Sequence, residues 1–302
     1  MLDKKELRRI KKIEKNGIAH KRSYVEKIIF EIAFAVFCIH AFTLIFPCLW
    51  MIMSSFKGPL EYAGGDVFAL PIRWRFSNYI KAFTMLNYGN QTFVGMIFNS
   101  LWYTCLSTFM GLMMPTITGY VLSKYEFRGR QTIYSIAIIC MILPIVGSGA
   151  SHMKIIATLG LYDTPLYVII GGLGGFGGSF IVYYGYFKSV SWSYAEAAEI
   201  DGAGPFTTFL IIMLPHAAPL LMVYGVQGAI AAWGEVNTFL LYLPSYVNLA
   251  TGLFEYQSNA IRMANYPVYF AGLIISTIPT ITLFAIFSGK IMQGVSLGGL
   301  KG

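Results

Sequence analysis

Six stretches of this chain are apolar for long enough to cross a lipid bilayer, and that excludes most folds at once. They run over about Ile28–Met53, Phe93–Leu122, Thr132–Ala150, Pro165–Phe187, Ala217–Leu241 and Val268–Ser288. A helix rises about 1.5 Å per residue, so roughly 20 apolar residues span the hydrocarbon core. None of the runs alternates with period two. Lipid leaves a backbone only helices or closed barrels, and without that alternation a barrel is excluded. Composition agrees: 56% of the 302 residues are hydrophobic and 12% are charged, against about 25% charged in a soluble domain. The predicted fold class is an all-α integral membrane protein with six transmembrane helices.

Lysine and arginine set the predicted orientation. Residues 1–27 form a basic tail with ten of them, and the first helix follows over 28–53. With this tail in the cytoplasm, six crossings return the C-terminus there too. The cytoplasmic side then collects 16 basic residues and the outer side 6, the bias expected of a membrane protein placed N-in and C-in. The net charge of +8 is therefore mostly topology. A nucleic-acid role for the basic tail finds no second feature to support it. The apolar segment after the tail exceeds the 7–15 residues of a cleaved signal, and no small-residue cleavage site follows. Residues 54–92 form the longest outer loop, expected to be an ordered, partly aromatic cap. Residues 93–288 form a five-helix core, and 289–302 a short cytoplasmic tail. Cys38, Cys48, Cys105 and Cys140 all fall inside predicted spans and have no metal-site spacing. They are expected as buried small hydrophobes, with no metal and no disulfide.

One inner loop, residues 188–216, breaks the charge trend. It carries Glu196, Glu199 and Asp201 against Lys188. Ser193 is placed to N-cap a short helix rich in alanine, with Glu196 in its first turn at the positive end of the helix dipole. Gly202 can stop that helix with φ > 0. Pro205 suits the first turn of a second helix whose Phe206, Phe209, Leu210 and Met213 recur at helical spacing. Pro215 and Pro219 interrupt it where the next span begins. The prediction is a helix–corner–helix across the inner membrane face. From physics alone it serves equally well as an interfacial amphipathic linker.

The residues of this loop carry a family resemblance. Glu196-Ala197-Ala198, then Gly202, then Ile212-Met213-Leu214-Pro215 resembles the signature loop of permease subunits of binding-protein-dependent ABC importers. Trp50–Lys57, Asn78-Tyr79, Asn99-Ser100, Tyr120–Ser123 running into Phe127–Arg130, and the ending Gly294–Gly302 are similar to the carbohydrate class, of maltose/raffinose or multiple-sugar type. The resemblance implies the type I ABC importer permease fold. It implies a coupling helix bearing Glu196, Ala197, Ala198 and Asp201, with Gly202 at the corner, seated on a cytoplasmic ATP-binding cassette dimer. It also implies a second homologous permease, an extracytoplasmic sugar-binding protein, a sugar substrate and a place in the cytoplasmic membrane. ATP and Mg would be used by the partner ATPase, and this chain would bind no cofactor and carry no catalytic residue.

The chain itself lacks a motor. No G-x-x-x-x-G-K-[ST] occurs, and Gly172-x-Gly174-x-x-Gly177 sits inside an apolar run rather than in a βαβ unit. Small residues at a helix contact explain that pattern better than a dinucleotide site. Ionisable residues inside spans are scarce, so Glu235 stands out. Trp233, Glu235 and Asn237 combine an aromatic platform with hydrogen-bonding groups, the mixture a sugar needs, and Tyr183 is a further candidate for the path. A simpler reading has Glu235 hydrated or paired near the outer interface and the tyrosines anchored at the interface. A secondary transporter or channel acting without an ATPase is the alternative, although neither several intramembrane charges nor a clear internal repeat is present. A membrane hydrolase is disfavoured because His152 and His216 fall on opposite predicted sides.

Overall fold

The computed structural model describes residues 24–143, 147–263 and 265–299. Most of the basic tail, residues 1–23, and the last three residues lie outside the described residues. Among the described residues the chain is helical, with one isolated bridge between Tyr88 and Gln91. The helices are α1 (Tyr24–Ser55), α2 (Pro59–Gly64), α3 (Ser77–Met85), α4 (Phe93–Lys124), α5 (Arg130–Ile142), α6 (Gly149–Thr158), α7 (Leu166–Gly172), α8 (Gly178–Ser189) and α9 (Ser193–Ile200). They continue as α10 (Pro205–Thr208), a π-helical turn (Phe209–Met213), α11 (Leu214–His216), α12 (Ala218–Trp233), α13 (Asn237–Leu241), α14 (Leu249–Met263) and α15 (Tyr266–Gly299).

Three of these helices are long and apolar enough to cross a membrane: Tyr24–Ser55, Phe93–Lys124 and Tyr266–Gly289. Pro205–His216 and Ala218–Trp233 would make a fourth if joined, but they meet at a bend of 76°. The third and fourth apolar runs are realised differently from the continuous helices expected. The third begins with α5, of 13 residues. The fourth is divided into α7 and α8, with Gly175 at φ +60 in the break. Thr118 Oγ1 donates to the Gly175 carbonyl at 2.7 Å, so the break is hydrogen-bonded by a neighbouring helix, as non-helical backbone in a membrane requires.

The chain divides after Ser54 into two compact units. The first is α1, whose large apolar side chains, from Ile28 to Ile52, are exposed along its length. In the second, α4 packs against α8 and α12, and α12 packs against α15. The α4–α8 contact is close at Gly119. A Cβ there would lie 2.9 Å from the Tyr184 nitrogen and 3.0 Å from the Tyr183 Cβ. A small residue lets the two backbones approach. The four cysteines are exposed on this single chain, not buried as expected. A thiol is apolar enough to face lipid or another chain, and hydropathy cannot distinguish that from a core position.

Residues 54–92, expected as the outer loop, form an ordered segment with packed aromatic rings. Phe56 meets Trp74, Phe76 and Tyr79 at ring distances of 5.1, 5.0 and 5.3 Å. Lys57 is buried, and its Nζ donates to the carbonyls of Asp66 and Val67 at 3.1 and 3.0 Å. Asn78 Nδ2 donates to Ser55 O and Lys57 O. Glu61 accepts from the backbone N–H of Ile72 at 2.6 Å and of Gly58 at 3.1 Å. These two donors, with Lys57 and Arg75 nearby, hold its carboxyl below the usual range against a smaller opposing effect of burial.

Candidate functional site

Residues 188–216 fold into a helix, a tight corner and a second helix. Glu196 lies in the first turn of α9, where a carboxylate opposes the positive helix end. The helix begins at Ser193, the predicted cap itself, one residue earlier than expected. Trp192 occupies the cap position, and Ser193 N donates to Ser191 Oγ at 3.3 Å. The Ser191 hydroxyl thus accepts the first N–H of the helix, and no side chain caps this end as Ser193 was expected to do. The other end matches its prediction in detail. Gly202 has φ +85, its N–H donates to Glu199 O at 3.0 Å, and Ala203 N–H donates to Ala198 O at 2.9 Å. This pair of bonds is a Schellman stop, which satisfies two of the last carbonyls of the helix and needs a left-handed residue at its centre. Pro205 then opens α10. A π-helical turn precedes Pro215, which has no N–H to return to Ile211 and whose ring crowds that carbonyl.

This loop has two faces. Ala195 and Ala198 are buried, whereas Glu196, Ala197, Glu199 and Asp201 are exposed. Ile200 and Phe206 stand out with 87% and 74% of their surface open. The buried face sits on a cluster containing Tyr120, Tyr183, Phe187, Phe209, Met213 and Ala217. Tyr120, near the end of α4, is its centre, 4.9 Å from the Phe209 ring and 5.3 Å from that of Phe187. Tyr125 meets Trp192 edge to face at 5.7 Å. Lys124 Nζ donates to Val190 O, and Tyr186 donates its hydroxyl proton to His216 O. Four links thus fasten the loop to the spans. Lys124 and Tyr125 were not singled out in the sequence, and Tyr186 was read there as a path or interface residue rather than a loop anchor. The signal available was the density of aromatics flanking a basic turn.

A second feature lies further along the same helices. A cavity of about 460 Å³ opens between α4, α8 and α12. Tyr103, Ser107, Ser179, Tyr224, Gln227 and Glu235 supply its polar lining. Gly111, Gly228 and Ala231 leave the room. Thr108, also on the wall, has a buried hydroxyl with no hydrogen-bond partner among the described residues. Glu235 is half-buried, and its Oε1 accepts the Thr238 N–H at 2.9 Å, which caps α13. Its own carbonyl accepts from Asn248 Nδ2 at 2.7 Å.

The other path candidates are placed elsewhere. Trp233 is buried, and its indole N–H donates to Ser276 O at 2.9 Å, which ties α12 to α15. Asn237 is exposed at the start of α13. Tyr183 is fully buried in the loop's cluster. Its ring lies 5.6 Å from that of Tyr224, which does line the cavity. The Tyr183–Tyr224 contact therefore joins the two features.

A helical membrane protein with an exposed loop stopped at Gly202 and a polar cavity among its helices has the form of a transport subunit. Residues 108–296 match the family of binding-protein-dependent transport system inner membrane components, and the chain belongs to that family. It is similar to sugar ABC importer permeases. Among them, the diacetylchitobiose uptake system permease protein NgcG of Streptomyces coelicolor is 28% identical over 89% of this chain and 88% of that protein. The arabinooligosaccharides transport system permease protein AraQ of Halalkalibacterium halodurans is 26% identical over 88% of this chain and 94% of that protein. The fold resembles a chain in a crystal structure of a bacterial ABC transporter involved in the import of the acidic polysaccharide alginate. The TM-score is 0.71 at 23% identity, over 89% of this chain and 98% of that one.

Proposed function

We propose that this chain is one of two transmembrane permease subunits of an ATP-driven saccharide importer in the cytoplasmic membrane. The observation that carries the reading is the loop: a helix stopped at Gly202, exposed on one side and fastened to α4 and α8 on the other. A surface linker would not need both. Glu196, Ala197, Asp201, Ile200 and Phe206 present carboxylates and two large apolar side chains for an ATP-binding cassette subunit to grip. Family membership supports this reading, and the names of similar permeases support saccharides as the cargo.

The mechanism follows from stiffness. Closure of the ATPase pair around ATP and Mg would push α9. Tyr120, Tyr125 and Lys124 pass that push to α4, and Tyr183 with Tyr224 passes it to α12. These helices wall the cavity, so rocking them as rigid bodies opens it to one side of the membrane and then the other. The chain itself forms half of the path and performs no chemistry. The six apolar runs serve as six spans with both termini inside, a placement supported by the 16-to-6 distribution of basic residues. A second, homologous permease completes the path, and an extracytoplasmic binding protein delivers the sugar to the outer face.

Affinity purification of the chain from its membrane in mild detergent tests this. Recovery with an ATPase, a second permease and a saccharide-binding protein is the expected result. A chain that arrives alone and still transports in vesicles without ATP would make it a secondary transporter or channel.

A further inference from the structure

Among the described residues the cavity is lined by one carboxylate and by no lysine, arginine or histidine. We propose that Glu235 makes it a charge filter, which admits neutral or amine-bearing saccharides and turns back sugar acids. This rests on the cavity being part of the substrate path.

Glu235 makes no ion pair among the described residues. The Thr238 N–H takes one position on its carboxylate, and that bond holds the group at the start of α13. Tyr103 and Tyr167 lie within its electrostatic reach, and a neutral phenol does not cancel a negative charge. The remaining lining is neutral. Hydroxyls of Ser107 and Ser179 and the amide of Gln227 can bond sugar hydroxyls in either direction. Gln227 makes no side-chain hydrogen bond among the described residues, so its amide is available. Such a wall solvates a polyol well and compensates no anion. At an effective dielectric near 20, a second negative charge roughly 4–8 Å away is disfavoured by more than tenfold. An ammonium group gains by a similar factor.

The test needs no knowledge of the sugar. In the assembled importer with its native cysteines replaced, a reporter cysteine is placed at Ser107→Cys. Its rates of modification by cationic aminoethyl and anionic sulfonatoethyl methanethiosulfonate are compared. The cation-to-anion ratio is normalised to that of a small free thiol in the same buffer. The filter predicts a normalised ratio well above ten, which returns toward one in Glu235→Gln. A ratio near one with Glu235 present, or one that Glu235→Gln leaves unchanged, overturns the proposal. ATP-driven uptake is measured on the same preparations. Loss of saccharide uptake in the unaltered assembly with the ratio retained would overturn the importer reading instead, and would leave the charge of the cavity as proposed.

Discussion

The inner loop and the cavity share helices α4, α8 and α12 yet are built on opposite principles. The loop is closed: α9 ends in a hydrogen-bonded stop at Gly202, and its buried Ala195 sits on six packed side chains. The cavity is open: glycines and alanines hold space, and the Thr108 hydroxyl and the Gln227 amide have nothing to bond. A part that transmits force must not deform, and a part that accommodates varied hydroxyls must not be filled. Tyr183 and Tyr224, 5.6 Å apart, mark where one regime meets the other.

The largest expected effect is at the stop of the loop. A Cβ at Gly202 meets nothing within 4 Å, so its cost is backbone strain alone. Gly202→Val places a β-branched residue at φ +85 and should cost about 1–3 kcal/mol of local order. Uptake should be abolished while the chain remains in the membrane. Gly202→Asn, which tolerates the left-handed region, should retain more uptake. Equal loss in both would detach the effect from the corner.

Next is the anchor. Tyr120→Ala removes the central ring of the cluster, a change worth about 3–5 kcal/mol in a packed core. ATP hydrolysis should persist while transport per ATP falls at least severalfold. Tyr120→Phe, which keeps the ring, should fall less. If hydrolysis and transport decline together, the cluster stabilises the chain rather than coupling it.

On the cavity side, Glu235→Gln should raise the uptake ratio of a uronate trisaccharide to its neutral counterpart severalfold at saturating binding protein. An unchanged ratio would place saccharide selection elsewhere. The smallest effect belongs to the outer cap, which neither regime uses. Glu61 has a lowered pKa in the fold, so its contribution is present above the ordinary carboxylate value of 4.5 and is lost as pH falls through its lowered value. Residues 58–76 should therefore become more open to an acid-active protease at low pH. In Glu61→Gln the acid step should shrink.

Much of the loop was legible in the sequence, because its devices are local. A glycine four residues after an alanine pair, a proline three further on and a carboxylate in a first turn each act within one turn of chain. Ser193 read as the cap from its residue type, but the helix takes it in as its first residue and places Trp192, packed on Tyr125, at the cap position. The breaks in the apolar runs were not legible. Hydropathy averages over a window and does not register that Gly175 turns left-handed or that the helix bends by 76° near Ala217. Trp233 read as a sugar platform because the partner of its indole, Ser276, lies 43 residues away. Glu235 could be identified by the rarity of charge in a span, a signal that does not depend on knowing its neighbours.

The central claim is that the exposed face of α9 and α10 meets the motor. Placing a photo-reactive residue at Ile200 or Phe206, the two most open apolar positions of that face, tests it directly in native membranes. Illumination should join this chain to an ATP-binding subunit at both positions, with a yield that changes when ATP is trapped. A control at Ala195, buried against the cluster, should not crosslink. Crosslinks to lipid alone at Ile200 and Phe206, in membranes where transport is intact, would contradict the account.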